Sequence, residues 1–319
     1  MGRCSSFPEL QFGLKEKNCH APNCNLAKPH TMKKNILLLP LLLFFAQPLL
    51  AGGGWPQPKG RGYFKLSQWW VVSDQHFTDV GKIDPNVTNG IFNTSLYAEY
   101  GFTDRLTGVL YFPFFSRAYF NNTVSGATGE VITPGEAINS LGDTDVGIKF
   151  GLTQNHPLAI SATLTFGLPL GNDSGGSAGN LQTGDGEFNQ MIQLDAGRGF
   201  RIGKHNAYAN AYLGFNNRTN DFSDELRFGV EGGITVLQER LTLIARLYGV
   251  KSMYNGKLPS EMITSTSIFA NNTEYLSFSP EIAYNITDKW GVAASAGGAF
   301  YGRLIAARPS YSVGVYFRL

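Results

Sequence analysis

Cysteine is absent from most of the chain, because Cys4, Cys19 and Cys24 all lie before position 30 of 319. The chain beyond them can form neither a disulfide nor a thiol nucleophile. Cys19 and Cys24 lie near His20, but their spacing matches no zinc motif, so no metal site is predicted there. The stability of the folded part must therefore come from backbone pairing and packing.

Charge is also scarce, since charged residues make up 16% of the sequence and no run of lysine or arginine occurs. Residues 1–51 carry 6 Lys/Arg against 2 Asp/Glu, which leaves 20 basic and 22 acidic residues in the rest of the chain. A basic surface for nucleic acid is therefore not expected. No nucleotide-binding glycine motif lies at a strand-to-helix junction, and no cofactor is predicted.

One long apolar run is present, from Ile36 to Leu50, and it follows Lys33 and Lys34 and ends at Ala51. This is the layout of a secretory signal peptide cleaved after Ala51. A transmembrane anchor would need about 20 apolar residues without the prolines that interrupt this run. We therefore predict a misassigned upstream extension over 1–31, a signal peptide over 32–51 and a folded domain over 52–319.

No later stretch reaches 18 consecutive apolar residues, so helices cannot carry the exported chain across a membrane. The chain instead alternates apolar and polar residues, as strands do between one apolar and one polar environment. For example, Val146, Ile148 and Phe150 alternate with Asp145 and Lys149. Such segments, each close to the length of a membrane-crossing strand, are 62–72, 91–100, 106–115, 141–152, 158–168, 187–197, 206–216, 225–236, 241–250, 274–286, 290–301 and 311–319.

The connections between these twelve segments differ in length in a regular way. Short turns are predicted around 103–104, 155–156, 199–205, 238–239 and 287–288, and they alternate with mostly longer loops over 73–90, 116–140, 170–186, 217–224, 251–273 and 302–310. This alternation is typical of outer-membrane barrels, whose turns are periplasmic and whose loops lie outside the cell. The predicted fold class is all-β, a transmembrane antiparallel up-and-down β-barrel of about 12 strands in the bacterial outer membrane.

The last segment carries a further signal. Apolar residues alternate from Tyr311 to the terminal Leu319. The segment resembles the C-terminal signal by which bacterial outer-membrane barrels are recognised for assembly, although those usually end in Phe. The resemblance implies the barrel assembly machinery as a partner, together with outer-membrane lipid.

Two glycine-rich motifs carry a family resemblance. The first reads LGDTDVGIKFGL over 141–152 and the second reads FGLPLGN over 166–172. Together they resemble the outer-membrane barrels named for the meta-pathway of phenol degradation, with Phe150 and Leu170 in place of that family's usual Tyr and Thr. The resemblance implies an outer-membrane barrel that admits aromatic or other hydrophobic small molecules.

The polar faces of the segments supply the candidate functional residues. Charges of both signs on these faces either pair to fill and rigidify the lumen or line a constricted path, and the pattern alone favours neither. The lumen and constriction candidates are Lys65, Glu99, Asp143, Asp145, Lys149, Glu187, Asp195, Arg227, Glu231, Arg246 and Glu281.

Three classes of function remain open at this point. The first is a passive channel for small hydrophobic or aromatic compounds. Four aromatic residues in its long loops either line an apolar entry or fold back as a lid: Tyr119, Phe120, Tyr254 and Phe269. The second is a structural or surface-interaction barrel without transport. The third is an outer-membrane lipid hydrolase, for which Ser73 and His76 are the conceivable dyad. A non-enzymatic channel is the prediction, and the solute stays unidentified.

Overall fold

The computed structural model describes residues 53–258 and 267–319, and these residues form a closed β-barrel. The predicted signal peptide and all three cysteines lie outside the described residues. The strands are β1 (Gly62–Phe77), β2 (Ile83–Gly101), β3 (Leu106–Phe120), β4 (Thr123–Val124), β5 (Val131–Thr133), β6 (Glu136–Ser140), β7 (Thr144–Gly151), β8 (Leu158–Leu168), β9 (Asn189–Ile202), β10 (His205–Arg218), β11 (Glu225–Val236), β12 (Leu241–Ser252), β13 (Glu274–Asn285), β14 (Trp290–Arg303), β15 (Ile305–Ala306) and β16 (Ser310–Arg318).

Twelve of these strands form the wall, and each pairs antiparallel with its neighbours in chain order. The wall closes because β1 pairs with β2 on one side and with β16 on the other. Leu66, for example, lies opposite Leu96 and opposite Val315. The predicted twelve-stranded antiparallel barrel is confirmed, and its closure leaves no exposed sheet edge.

The two faces of the wall differ as the alternation predicts. On β7, Ile148 points outward and is 54% exposed, whereas its neighbour Lys149 points inward and is 4% exposed. Outward aromatic pairs lie near both ends of the barrel. The Trp290 and Phe317 rings are tilted to each other with centroids 4.8 Å apart, and Phe278 stacks on Phe300 at 6.2 Å. An outward apolar band between two aromatic girdles is the surface that a membrane-spanning barrel presents to lipid.

Several strands are longer than the sequence pattern indicates. The predicted loop over 73–90 is mostly strand, because β1 continues to Phe77 and β2 begins at Ile83, which leaves a turn over 78–82. In the same way β3 continues to Phe120 and β9 continues to Ile202. Beyond the apolar band the strands continue to pair through their backbones although their side chains are polar, as in the His76–Asp84 pair. Such residues do not alternate between apolar and polar, so the sequence pattern does not mark them as strand.

One end of the barrel holds the start of β1 and the end of β16. We call it the turn end, and its connections are short. Two of them use the same device: Thr103 Oγ1 accepts hydrogen bonds from the amides of Arg105 and Leu106, and Thr287 Oγ1 accepts them from the two matching amides. The longer connections, such as those over 121–143 and 169–188, lie at the opposite end, the loop end, which also holds the short turn over 78–82. Within residues 53–258 and 267–319, no helix has the length and hydropathy needed to span a membrane.

Candidate functional site

The segment before β1, residues 53–61, crosses the barrel lumen at the turn end. The Gln57 amide donates to Thr107 Oγ1 on β3 at 2.8 Å, and the Gly54 amide donates to Asn210 Oδ1 on β10 at 3.0 Å. β3 and β10 lie on different sides of the wall, with β7, β8 and β9 between them. The segment therefore narrows the lumen at this end.

Trp55 is the largest side chain of this segment. Its ring lies edge-on to Tyr208, with centroids 6.3 Å apart, and it also packs against Gly197 on β9. A Cβ at Gly197 would come within 2.4 Å of the Trp55 ring, so only glycine allows the ring to approach the wall this closely.

A buried ion pair anchors the same segment. Lys149 Nζ lies 3.0 Å from Glu99 Oε1, and both side chains are almost completely buried. Tyr97 donates its hydroxyl hydrogen to Glu99 at 2.6 Å, and Gln57 Nε2 donates to the second oxygen at 2.8 Å. The Glu99 carboxylate is therefore fully paired, and one of its partners comes from the lumen segment.

A second group of charges lies on β1, β11, β12 and β13. Arg246 forms ion pairs with Glu231 and, at 3.1 Å, with Glu281. Glu281 also lies 3.4 Å from Lys65 Nζ. Tyr208 donates its hydroxyl hydrogen to Glu231 at 2.5 Å, which links this group to the Trp55 contact.

A third group lies at the loop end and is centred on Arg218, the last residue of β10. Its guanidinium contacts Glu187 at 2.5 Å, Asp185 at 2.9 Å and Glu225 at 2.9 Å. Arg227 contacts the other oxygen of Glu225 at 2.8 Å. Because two guanidinium groups face three carboxyl groups, the cations are outnumbered in this group.

The loop over 169–188 folds against this third group. Asp143 accepts hydrogen bonds from the amides of Gly171 at 3.0 Å and Asp185 at 2.8 Å. Leu181, in the middle of the loop, is 0% exposed. A Cβ at Gly184 would lie 2.1 Å from the Asp143 carboxylate, so the loop can seat here only with glycine at that position.

Two carboxyl groups at the loop end have raised pKa values. Burial, and next the nearby charge of Asp185, raise the pKa of Asp143 to about 7. Burial also raises the pKa of Glu187 to about 7, against the opposing attraction of Arg218. Both groups therefore change charge in the physiological pH range.

Eight tyrosines of the described chain face the lumen. Tyr63 lies 5.7 Å from Tyr316 and 6.3 Å from Tyr97, and Tyr248 lies 6.1 Å from Tyr275, measured between ring centroids. The lumenal set is Tyr63, Tyr97, Tyr111, Tyr208, Tyr212, Tyr248, Tyr275 and Tyr316. The lumen wall is therefore aromatic as well as charged.

The structure places the sequence-derived candidates on the inner side of the wall and at its loop end, where several of them form ion pairs. Arg246 pairs with Glu231, Lys149 pairs with Glu99 and Arg227 pairs with Glu225. Within the described residues, neither Asp145 nor Asp195 forms an ion pair, and Asp195 instead accepts hydrogen bonds from Gln193.

Sequence reasoning missed several residues of these groups. Arg218 and Asp185 lie in predicted loops, and Trp55 and Gln57 precede the first predicted strand. Extending the inward alternation of β10 by one step beyond 216 would have found Arg218. Glu225 lies inside the predicted segment 225–236, on the same face as Arg227, and could have been named from the alternation alone. The lumen segment is rich in Gly and Pro and has no periodic signal of its own.

The enzymatic candidate receives no geometric support. Ser73 donates its hydroxyl hydrogen to the Gln75 carbonyl rather than to His76. His76 Nδ1 is buried and makes no hydrogen bond within the described part of the chain. The entry residue Tyr119 belongs to β3 and stacks on the outward Phe92 at 6.1 Å, so it faces away from the lumen.

Among residues 53–258 and 267–319, no group of three or more His, Cys, Asp or Glu side chains is arranged to hold a metal ion. The carboxylates at the loop end converge on arginine instead.

Comparisons with known proteins place this architecture among outer-membrane barrels. The chain is similar in fold to the COG4313 outer membrane channel from Pseudomonas putida F1, with 14% sequence identity, a TM-score of 0.54 and coverage of 85% of this chain and 100% of that one. At this identity the likeness shows the fold alone.

Other solved barrels resemble the chain more weakly. The KdgM porin in complex with disordered oligogalacturonate has 10% identity, a TM-score of 0.40 and coverage of 81% of this chain and 98% of that one. The translocator domain of the autotransporter NalP from Neisseria meningitidis has 11% identity, a TM-score of 0.45 and coverage of 81% and 88%. No protein-family model and no curated protein matches the sequence.

Proposed function

We propose that the chain is a passive outer-membrane channel for small aromatic or other hydrophobic compounds. The observation that carries the proposal is the lumen wall, where eight tyrosines and Trp55 line a space bounded by paired charges. Aromatic rings present broad apolar faces with polar edges, and they bind other rings by offset stacking or edge contact. Such a wall favours an aromatic solute over an aliphatic one.

The membrane location belongs to the same proposal. The outward apolar band and its two aromatic girdles suit the outer membrane, with the turn end in the periplasm and the loop end outside. The resemblance to the barrels named for the meta-pathway of phenol degradation supports a hydrophobic or aromatic solute. We also propose that the last strand, which pairs with both β14 and β1, is the segment that the barrel assembly machinery recognises.

A liposome-swelling assay tests the channel directly. The full chain is reconstituted, and the swelling rates in phenyl glucoside and in methyl glucoside are compared at equal osmolarity. Size alone ranks the smaller methyl glucoside first, whereas stacking on the lumen tyrosines predicts that phenyl glucoside enters at least as fast.

A matched pair of substitutions separates the lumen from the outer surface. Tyr63→Leu removes a ring that contacts Tyr97 and Tyr316 in the lumen, and Phe64→Leu removes the adjacent outward ring. The first should reduce the advantage of phenyl glucoside, and the second should not. Swelling equal to that of empty liposomes for both solutes would favour a barrel with a structural or surface-interaction role.

A further inference from the structure

A row of charged side chains lies on the outer surface of the barrel at the loop end, outside the lumen. Lys251, Glu274 and Arg303 occupy neighbouring positions on β12, β13 and β14. Lys251 is opposite Leu226 across β11 and β12, and Glu274 is opposite Arg303 across β13 and β14. Because Leu226 faces outward, the alternation of side chains places Lys251 outside the wall as well.

The row holds more positive than negative charge. Glu274 is 1% exposed, because the two cations and Tyr301 cover it. Lys251 Nζ contacts Glu274 Oε1, Arg303 Nε lies 3.9 Å from Glu274 Oε2, and Tyr301 donates its hydroxyl hydrogen to the same Oε2 at 3.2 Å. The side chains of Lys251 and Arg303 stay 55% and 35% exposed, so both can accept another anionic partner.

One tyrosine, Tyr254, contacts both cations. Arg303 donates through a terminal guanidinium nitrogen to the Tyr254 hydroxyl oxygen at 3.0 Å. Lys251 Nζ lies 5.2 Å from the centre of the Tyr254 ring, within the range of a cation–π contact. Since the Glu274 carboxylate and the Tyr254 side chain hold the two cations together, little side-chain entropy remains to be lost when an anion binds.

The row lies just beyond the outward aromatic girdle. On β13 the outward Phe278 is four residues from Glu274, which is about 13 Å along a strand, and Phe278 stacks on Phe300 at 6.2 Å. Aromatic girdles mark the boundary between acyl chains and headgroups. The cations therefore lie at the level of lipid headgroups, directly above a surface that suits acyl chains.

We propose that the row of Lys251, Glu274 and Arg303 is an outer-surface site for a phosphate of a lipid A-type glycolipid. The proposal rests on the proposed outer-membrane location and not on transport. Lysine and arginine bind phosphate through charge-assisted hydrogen bonds, and a phosphorylated headgroup whose chains run past Phe278 and Phe300 satisfies both parts of this surface. A phosphate without acyl chains would use only the cations.

Binding of lipid A to the purified full chain in detergent tests the proposal. Diphosphoryl lipid A is titrated and the bound fraction is measured by native mass spectrometry, for the wild type and for Lys251→Gln with Arg303→Gln. The double variant should bind about tenfold more weakly, because cations near an anionic lipid surface each contribute to affinity. The matched control is Arg240→Gln with Lys289→Gln, which removes the same charge from exposed turn-end positions and should bind as the wild type does.

Two further arms separate the phosphate from the rest of the ligand. Dephosphorylated lipid A should bind the wild type and the Lys251/Arg303 double variant equally weakly. Inorganic phosphate should compete only weakly with lipid A, and complete competition at equal concentrations would show a free-anion site and overturn the lipid assignment.

Glu274→Gln should change the affinity for lipid A in the opposite direction to the double variant. It removes the carboxylate that competes with phosphate for the two cations, so lipid A should bind more tightly than to the wild type. Folding of every variant is checked by the difference in SDS-gel migration between boiled and unboiled samples. Equal lipid A affinity of the wild type and the folded Lys251/Arg303 double variant would overturn the proposal. If that variant does not fold, unchanged or weaker binding by Glu274→Gln would overturn it.

Discussion

The segments at the two ends of the barrel are held in place by different chemistry. At the turn end, residues 53–61 cross the lumen and are held by amide hydrogen bonds, by the Trp55–Tyr208 contact and by Glu99, whose charge is neutralised by Lys149. At the loop end, the loop over 169–188 is held by Asp143 and by carboxylates that share Arg218.

This difference predicts two kinds of sensitivity. The contacts of the turn end involve neutral groups and one fully paired carboxylate, so they should withstand changes of pH. The contacts of the loop end depend on carboxyl groups with a pKa of about 7, so they should respond to pH. Substitutions can therefore disturb one end and leave the other unchanged.

The largest effect is expected at Arg218. Arg218→Gln leaves Asp185, Glu187 and Glu225 without their shared cation in a buried site, and loss of one partner of a buried pair costs about 3–5 kcal/mol. Urea unfolding of the refolded barrel measures the loss. Arg227→Gln is the control, because its side chain is 38% exposed and contacts one carboxylate, and it should cost much less. Equal losses for the two variants would contradict this account of the loop end.

Lys149→Met should also lower the free energy of unfolding, by less than Arg218→Gln does. Lys149 lies 3.0 Å from the buried Glu99 carboxylate, which this change leaves without its cation. We expect a loss of about 3 kcal/mol in unfolding free energy. Adding Glu99→Gln should recover most of that loss, as measured in a double-mutant cycle. Additive losses would show that the two residues do not interact.

A smaller effect is expected from pH at the loop end. The folded-state pKa of Asp143 and that of Glu187 are raised from 3.8 and 4.5 to about 7, so protonation favours the folded loop. The stability that they contribute is complete below about pH 4 and is lost as the pH rises through about 7.

Hydrogen exchange of residues 169–188, corrected for intrinsic rates, measures this effect. Protection should be higher at pH 5 than at pH 8, and Asp143→Asn should reduce the difference. The amides of residues 53–61 at the turn end serve as the internal control and should be equally protected at both values. Higher protection of the loop at pH 8 would show that the sign is wrong.

The sequence alone predicts the wall well and the lumen only partly. The alternation of residues such as Val146 and Asp145 determines which side chains meet lipid, because one face of every strand must be apolar. The residue that pairs with each inward charge is determined by the register between strands. The sequence of one strand does not contain that information. Lys149 on β7 contacts Glu99 on β2 across β3, the strand that lies between them.

The segment over 53–61 illustrates what periodicity cannot predict. Its two prolines and three glycines exclude a regular strand or helix, so its path is determined by tertiary contacts such as that of Trp55 with Gly197. The strand extensions to Phe77 and Phe120 were missed for a related reason, since polar residues beyond the membrane continue to pair without alternation.

Single-channel conductance in planar bilayers tests the contrast between the two ends most directly. Trp55→Gly with Gln57→Ala removes the ring contact with Tyr208 and the hydrogen bond to Glu99, which should release the segment that narrows the turn end. The conductance of this double variant should exceed that of the wild type by a similar factor at pH 5 and at pH 8. A conductance equal to that of the wild type at both values would contradict the account.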